Sequence, residues 1–351
     1  MHIQRRMRMT VSGMLVALIF LVGFGMSETT PKVQAHAATV AVNPYIESKY
    51  ILAQTSIDGP ALWTSPTGAI RGEIAYTGTD VEHHLNVMTS TDGIHYSDKR
   101  ILNDTSFVRP ALTRFGSSDT DNIALAWTGD DANHSLNVYV GRPGFGFTKM
   151  TLRQQNSFTA PAIALKGSEL YLAWAGTDAN HSLNIGHILW RGGMYMASKT
   201  TLWSLHSNGR PTLTYDPNSD RLLLSWGLSG SNQIAFATSS DGVHFTSPAT
   251  SPIAEWTRSG PSMVGLPVNN MPRYFLAWTG TDANHTLNAQ FTESYPSWGD
   301  VAATKSTFWG EWALGGPSLG YIGAFNRVLM AWTGTDANHH LNLAVVAVGH
   351  A

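Results

Sequence analysis

The chain has 351 residues, with 22 Lys plus Arg against 24 Asp plus Glu and no cysteine. The absent thiols exclude a disulfide scaffold, thiolate metal sites and a cysteine nucleophile, and a formal charge of −2 gives no electrostatic basis for binding nucleic acid or anionic lipid. With 43% hydrophobic residues, 33 Gly and 12 Trp, the composition is that of a globular chain able to bury a sizeable core.

Arg5, Arg6 and Arg8 precede an apolar run over residues 11–26, and a polar stretch follows to Ala35-His36-Ala37. Basic head, short apolar middle and small residues at alternate positions predict a secretory signal over 1–37, with 38–351 as a single domain. The run is shorter than the ~20 residues of a spanning helix. The mature chain is therefore expected to be secreted by bacterial-type export, without membrane insertion. The long polar spacer before Ala37 keeps an uncleaved amino-terminal anchor as the alternative.

The remainder repeats. Ala75-Tyr-Thr-Gly-Thr-Asp-Val-Glu-His-His-Leu-Asn86 recurs in closely related form at 126–137, 173–184, 277–288 and 331–342. A sixth copy at 225–236 keeps the Trp but lacks the Asp and His. Pro60, Pro110, Pro161, Pro211, Pro261 and Pro317 mark the same phase, at spacings of 50, 51, 50, 50 and 56 residues. This length suits a four-stranded propeller blade. Within each unit, short β-rich runs are bounded by Gly, Asp, Asn and Ser, as in an antiparallel meander, and no helical period is sustained. The last unit stops after its third strand, while Tyr45-Ile-Glu-Ser-Lys-Tyr-Ile-Leu52 reads as a fourth strand without a blade. The fold predicted is all-β: a six-bladed β-propeller of four-stranded antiparallel blades, with the amino-terminal strand closing the last blade.

In an up-and-down blade, the turn between the second and third strands shares a rim with the inter-blade loops. That rim carries Asp80 and His83, Asp131 and His134, Asp178 and His181, Asp282 and His285, and Asp336 and His339. Two readings stay open: an Asx-type turn in which the carboxylate accepts backbone N–H groups, or a repeated ligand site. The fourth unit, with Gly230 and Gln233 instead, implies that the turn can form without the pair. Asn86, Asn137, Asn184, Asn288 and Asn342 on the third strand read as satisfied buried amides. One Asp and one His per turn are too few for calcium or zinc, so neither metal nor cofactor is expected. Asn133-His-Ser, Asn180-His-Ser and Asn284-His-Thr are read as chance matches to the glycosylation pattern.

Ser90-Thr-Asp-Gly-Ile-His-Tyr96 and Ser239-Ser-Asp-Gly-Val-His-Phe245, on the opposite rim, resemble the Asp-box turn of sialidases and related glycan-handling propellers. They depart from the sialidase form in that Gly directly follows Asp. The resemblance implies architecture, because in that family the turn is structural. The near-identical units also resemble those of six-bladed fucose-binding lectins, although no motif matches residue by residue.

A sialidase-like glycoside hydrolase would need an arginine cluster, for which Arg109, Arg210 and Arg258 before the Pro markers are candidates, and a Tyr activated by Glu. Tyr215 and Tyr321 are the available tyrosines, and Asp58, Glu255 and Glu311 the available rim acids. Catalysis breaks repeat symmetry, whereas this chain repeats one polar constellation, which favours several weak equivalent sites acting together. Sugars suit such sites, with Asp and His for hydroxyls and rim aromatics, Trp256 and Trp309 among them, for stacking. The expectation is a secreted, monomeric, lectin-like propeller binding glycans. A hydrolase using the arginine rim, or a scaffold with purely structural turns, are the alternatives.

Overall fold

The computed structural model describes residues 42–349 apart from 67–69, 117–121, 247–248, 251–253, 269–270 and 293–303, so the predicted signal lies outside the described residues. Six four-stranded antiparallel sheets follow one another. Their innermost strands, Ala61–Thr64, Ala111–Arg114, Ala162–Lys166, Thr212–Asp216, Ser262–Val268 and Ser318–Ile322, define blades 1 to 6. Each packs against its two neighbours, and blade 6 against blade 1, so the ring is closed. Val42–Thr55 is the outermost strand of blade 6 and runs antiparallel to His340–Gly349, with Tyr50 opposite Leu343 and Ile51 opposite Asn342. No described helix is long and apolar enough to cross a membrane.

Blade 3 shows why the sequence takes this form. Ala162–Lys166, Glu169–Ala175, Ser182–Trp190 and Met194–His206 run from axis to periphery. The second strand is covered on both faces by neighbouring blades, so Leu170 to Ala175 are all buried and read as one apolar run. The outermost strand is largely exposed and polar. Every second strand ends in a fully buried aromatic, Tyr76, Trp127, Trp174, Trp226, Trp278 or Trp332. Each indole removes roughly 150–250 Å² from water, an upper figure of about 4–6 kcal/mol.

In five blades a lysine of the outermost strand, or in blade 5 the lysine just before that strand, sits over that aromatic. Lys99 covers Tyr76, Lys149 Trp127, Lys199 Trp174, Lys305 Trp278 and Lys49 Trp332, at 5.3–5.9 Å from the ring centre. Blade 4 has no such lysine among its described residues, and its outermost strand is only Ala249–Thr250. Blades are also stitched through the loops. Ser106 N donates to His83 O of its own blade, while its hydroxyl donates to Thr128 O of the next, and Ser56, Ser157 and Ser207 repeat the pattern.

Candidate functional site

The repeated rim turns are built as Asx turns. Asp178 accepts from Asn180 N at 3.1 Å, from Ser182 N at 3.1–3.2 Å and from the Ser182 hydroxyl at 3.0 Å. Asp282 does the same with Asn284 and Thr286, and Asp131 with Asn133 and Ser135. Asp80 and Asp336 instead pair with the His84 and His340 rings at 2.7 and 2.8 Å. Partial burial pushes all five carboxyls up, but the hydrogen bonds from Ser135, Ser182, Thr286, His84 and His340 outweigh it and hold them below the usual carboxylate range.

His83, His134, His181, His285 and His339 occupy the left-handed position that closes each turn, with φ between 51° and 57°. Their N–H donates to the Asp carbonyl, and their carbonyl accepts from the following inter-blade loop. In blade 4 Asn232 takes this position at φ 61° and accepts from Thr257 N, which is how the turn forms without Asp and His. The repeated pair is thus primarily turn chemistry. Two of the imidazoles also meet aromatics: His181 stacks on Phe158 at 3.7 Å, and His83 meets the Phe107 edge at 5.2 Å. The strand-three amides are satisfied as expected at Asn137, Asn184 and Asn288, but Asn86 Oδ1 has no partner.

Beside one of these turns a cleft of about 390 Å³ opens between blades 4 and 5. Glu255 and Trp256 line it from the end of blade 4, and Asp282, Lys305, Thr307 and Trp309 from blade 5. Trp309 is 85% exposed and Trp256 45%. Buried Trp278 and Asn288 form the floor, and Lys305 Nζ lies 2.5 Å from Glu255 Oε1. Of the candidate site residues singled out from sequence, the structure therefore unites Asp282, Glu255, Trp256 and Trp309. His285 is not part of the lining.

The other corners are not equivalent. Thr307 and Thr201 both face the strand-three Asn, so Trp203, 74% exposed, corresponds to Trp309. However, Asn156 stands there where blade 4 has Trp256. At the corner between blades 5 and 6, Trp312 and the Glu311–Lys49 pair are present, but Ile51 faces Asn342 and Ala53 takes the place of Trp309. Trp309 and Trp203 each lie where the outermost strand shifts register against the third strand, which lifts them from the sheet. Sequence similarity of the turns hid this asymmetry, because the aromatic positions lie outside the repeated motif.

The arginine candidates separate. Arg109 and Arg210 are 4% and 8% exposed and project into the central channel. Arg109 donates to Gly316 O and Pro317 O at 2.7 and 3.2 Å and to Pro60 O, while Arg210 donates to Pro317 O at 2.9 Å and to the Thr212 hydroxyl at 3.1 Å. Arg258 is exposed on its loop. The expected three-arginine clamp on an open rim is therefore not assembled, because two of its members are drawn inward by backbone carbonyls.

The acid and tyrosine candidates are also engaged. Glu255 and Glu311 pair with lysines, and Asp58 accepts from Gly59 N and Arg109 N. Tyr215 donates to Asp220, and Tyr321 to Asn326. The Tyr–Glu contact found is Tyr171 with Glu169 at 3.3 Å, beside His187. It is packed under Gly242 of the blade 4 turn rather than in the channel. The two Ser-x-Asp-Gly turns have one bonding pattern: Asp92 and Asp241 each accept from a Ser hydroxyl at 2.9 Å and hold a His ring at 2.6 Å.

No family model matches the chain, and no curated protein matches its sequence. Solved structures do match. An α-L-arabinanase from Penicillium chrysogenum, solved with arabinobiose, aligns with a TM-score of 0.58 at 11% identity, over 86% of this chain and 98% of that one. A lectin from Aleuria aurantia, solved with α-methyl-L-fucoside, gives 0.56 at 11% identity over 86% and 98%. The Hadza microbial sialidase Hz136 gives 0.56 at 14% identity, over 83% of this chain and 65% of that one. What they share with this chain is the six-bladed propeller.

Proposed function

We propose that the protein is a secreted, monomeric carbohydrate-binding propeller whose main site is the cleft between blades 4 and 5. The observation that carries this reading is the pair of exposed indoles, one from each blade, beside the Lys305–Glu255 pair in a cleft of about 390 Å³. That volume lies in the ~300–1,000 Å³ range of small-molecule sites. Indole faces accept the apolar face of a sugar ring, while Lys305, Glu255 and Asn284 offer donors and acceptors to its hydroxyls. The fold of a lectin solved with a fucoside and an arabinanase solved with arabinobiose supports the same reading. Of the acids and tyrosines a hydrolase would use, Glu255 is ion-paired to Lys305, and Asp58, Glu311, Tyr215 and Tyr321 are engaged outside the cleft, which favours binding over turnover.

Calorimetric or NMR titration with mono- and disaccharides tests it. One dominant site per chain, with a dissociation constant near the millimolar range (about −4 kcal/mol), is expected. Absence of binding by every sugar would sink the reading. Steady release of product from a fluorogenic glycoside would replace it with hydrolysis.

A further inference from the structure

The outermost strands end differently from blade to blade, and the two that agree are neighbours. Blades 4 and 5 both close with Glu-Trp, as Glu255-Trp256 and Glu311-Trp312. The corresponding pairs in the other blades are Gln54-Thr55, Asp104-Thr105, Gln155-Asn156 and Leu205-His206. Trp256 faces Gln233 and Trp312 faces Thr286, equivalent positions at the start of the third strand. Their exposures, 45% and 43%, are nearly the same. In each case the preceding glutamate holds the lysine that covers the buried Trp of the next blade, Glu255 with Lys305 and Glu311 with Lys49, both at 2.5 Å.

Trp309 connects these two corners. Phe308 and Trp312 face the adjacent residues Leu287 and Thr286, so residues 309–311 are extra on the outermost strand of blade 5 and bulge from the sheet. Gly310, at φ 87°, supplies the left-handed backbone that the bulge needs. Trp309 lines the cleft on the blade 4 side, together with Trp256. Trp312 occupies the position from which Trp256 reaches the next blade, so it stands on the blade 6 side, where Glu311 is tied to Lys49. The Cα atoms of Trp309 and Trp312 are no more than about 11 Å apart, the full reach of three residues. An exposed indole therefore recurs three times across two adjoining corners, with a Glu–Lys pair at each.

We propose that the ligand is a linear oligosaccharide, which rests on the cleft between blades 4 and 5 being a sugar site. With one part of the ligand in that cleft, the glycan crosses the edge of blade 5, and a further ring stacks on Trp312 beside the Glu311–Lys49 pair. A linear glycan repeats an apolar ring face and hydroxyls along its length, and this stretch of rim repeats indoles and charged pairs. One ring does not span both corners, whereas linked rings do. The second contact is made within one bound ligand, so a subsite too weak to act alone still raises affinity. The site ends at these two corners, because blade 3 closes with Leu205-His206 on one side and blade 6 with Gln54-Thr55 on the other.

Calorimetry of the unaltered chain with arabino-, cello- and chito-oligosaccharides, from one unit to six, decides it. In the series that binds, affinity is expected to rise about tenfold once the glycan is long enough to reach Trp312, the contribution of one stacked aromatic. It should then stay level for longer glycans, at one oligosaccharide per protein. Trp312→Ala is expected to abolish the gain, and Trp203→Ala to retain it. A mono- or disaccharide that binds while longer glycans bind no more tightly, or a gain that survives Trp312→Ala, would overturn the proposal and leave the cleft reading standing. Two disaccharides per chain, falling to one in Trp312→Ala, would overturn it as well, by making the second corner a separate site. Binding of no sugar at all would remove both readings. The series of lengths needs no variant, so the test survives if Trp312→Ala fails to fold.

Discussion

Lys305 Nζ lies 2.5 Å from Glu255 Oε1 and 5.6 Å from the centre of the Trp278 ring, so one lysine ties blade 5 to blade 4 and caps the buried aromatic of its own blade. The same tie joins Lys49 to Glu311 between blades 6 and 5, and Lys149 to Asp104 between blades 2 and 1. At the corresponding positions beside Lys199 and Lys99 the chain has Gln155 and Gln54. Without the acid, burial lowers the Lys199 pKa, with only the more distant Asp178 opposing it. A corner thus consists of a repeated scaffold, the Asx turn and the lysine, and a variable surface beside it.

That division makes the aromatic positions the test of the site. Trp309→Ala and Trp256→Ala should each weaken sugar binding about tenfold, about 1.4 kcal/mol. Both indoles are exposed, so melting temperatures should move by no more than about 2 °C. Trp203→Ala should leave affinity unchanged, because its corner lacks the second indole. Equal losses at all three positions in a titration would show several equivalent sites instead of one.

The unpartnered Asn86 has a local remedy. Asn137, Asn184 and Asn288 each accept from a threonine hydroxyl on the outermost strand at 2.6–2.8 Å. Asn86 faces Ile101 instead, and Ile101 is 62% exposed. Ile101→Thr supplies the missing donor with little loss of apolar burial. Urea unfolding should show a gain of about 0.5–1.5 kcal/mol, and the same change at Thr151 in reverse, Thr151→Ile, a loss of similar size.

The rim carboxylates predict acid sensitivity. The folded-state pKa values of Asp80, Asp131, Asp178, Asp282 and Asp336 are depressed, so their hydrogen bonds stabilise the fold fully above the unfolded pKa of about 3.9 and are lost as pH falls through the lower folded values. Asp92 and Asp241 act in the same direction. The contribution of these carboxylates to the melting temperature should be constant near neutrality and fall away steeply below about pH 4. Asp178→Asn should lower the melting temperature at pH 7 and make the acid limb shallower.

Glu73 works in the opposite sense. It is 6% exposed, with Oε2 unpartnered, and burial pushes its pKa up to about 7 against the attraction of Arg114 and Arg71. Between the ordinary value and 7 the folded state keeps a proton that the unfolded state has lost, so stability falls as pH rises through that window. The shift corresponds to up to about 3 kcal/mol. Glu73→Gln should remove that slope and raise stability at pH 8, as read by denaturant titration at pH 5 and pH 8.

The ring was legible in the amino-acid order because repetition is a property of sequence. Prolines recur about every fifty residues, the second strand is an unbroken apolar run ending in an aromatic, and the unpaired residues 45–52 match the strand missing from blade 6. The Asx turns could be inferred as well, since Asp followed two and four residues later by backbone N–H groups is a local geometry. Contacts between blades could not be inferred, because they join residues far apart in the chain whose meeting depends on strand register. The register shifts in the outermost strands lift Trp309 to the surface beside Trp256, which comes from another blade. The inward turn of Arg109 and Arg210 follows from backbone carbonyls near residue 316, roughly a hundred or more positions away. Sequence determined the scaffold and its symmetry; the tertiary structure decided where that symmetry is broken, because only packing brings an indole of one blade beside an indole of the next.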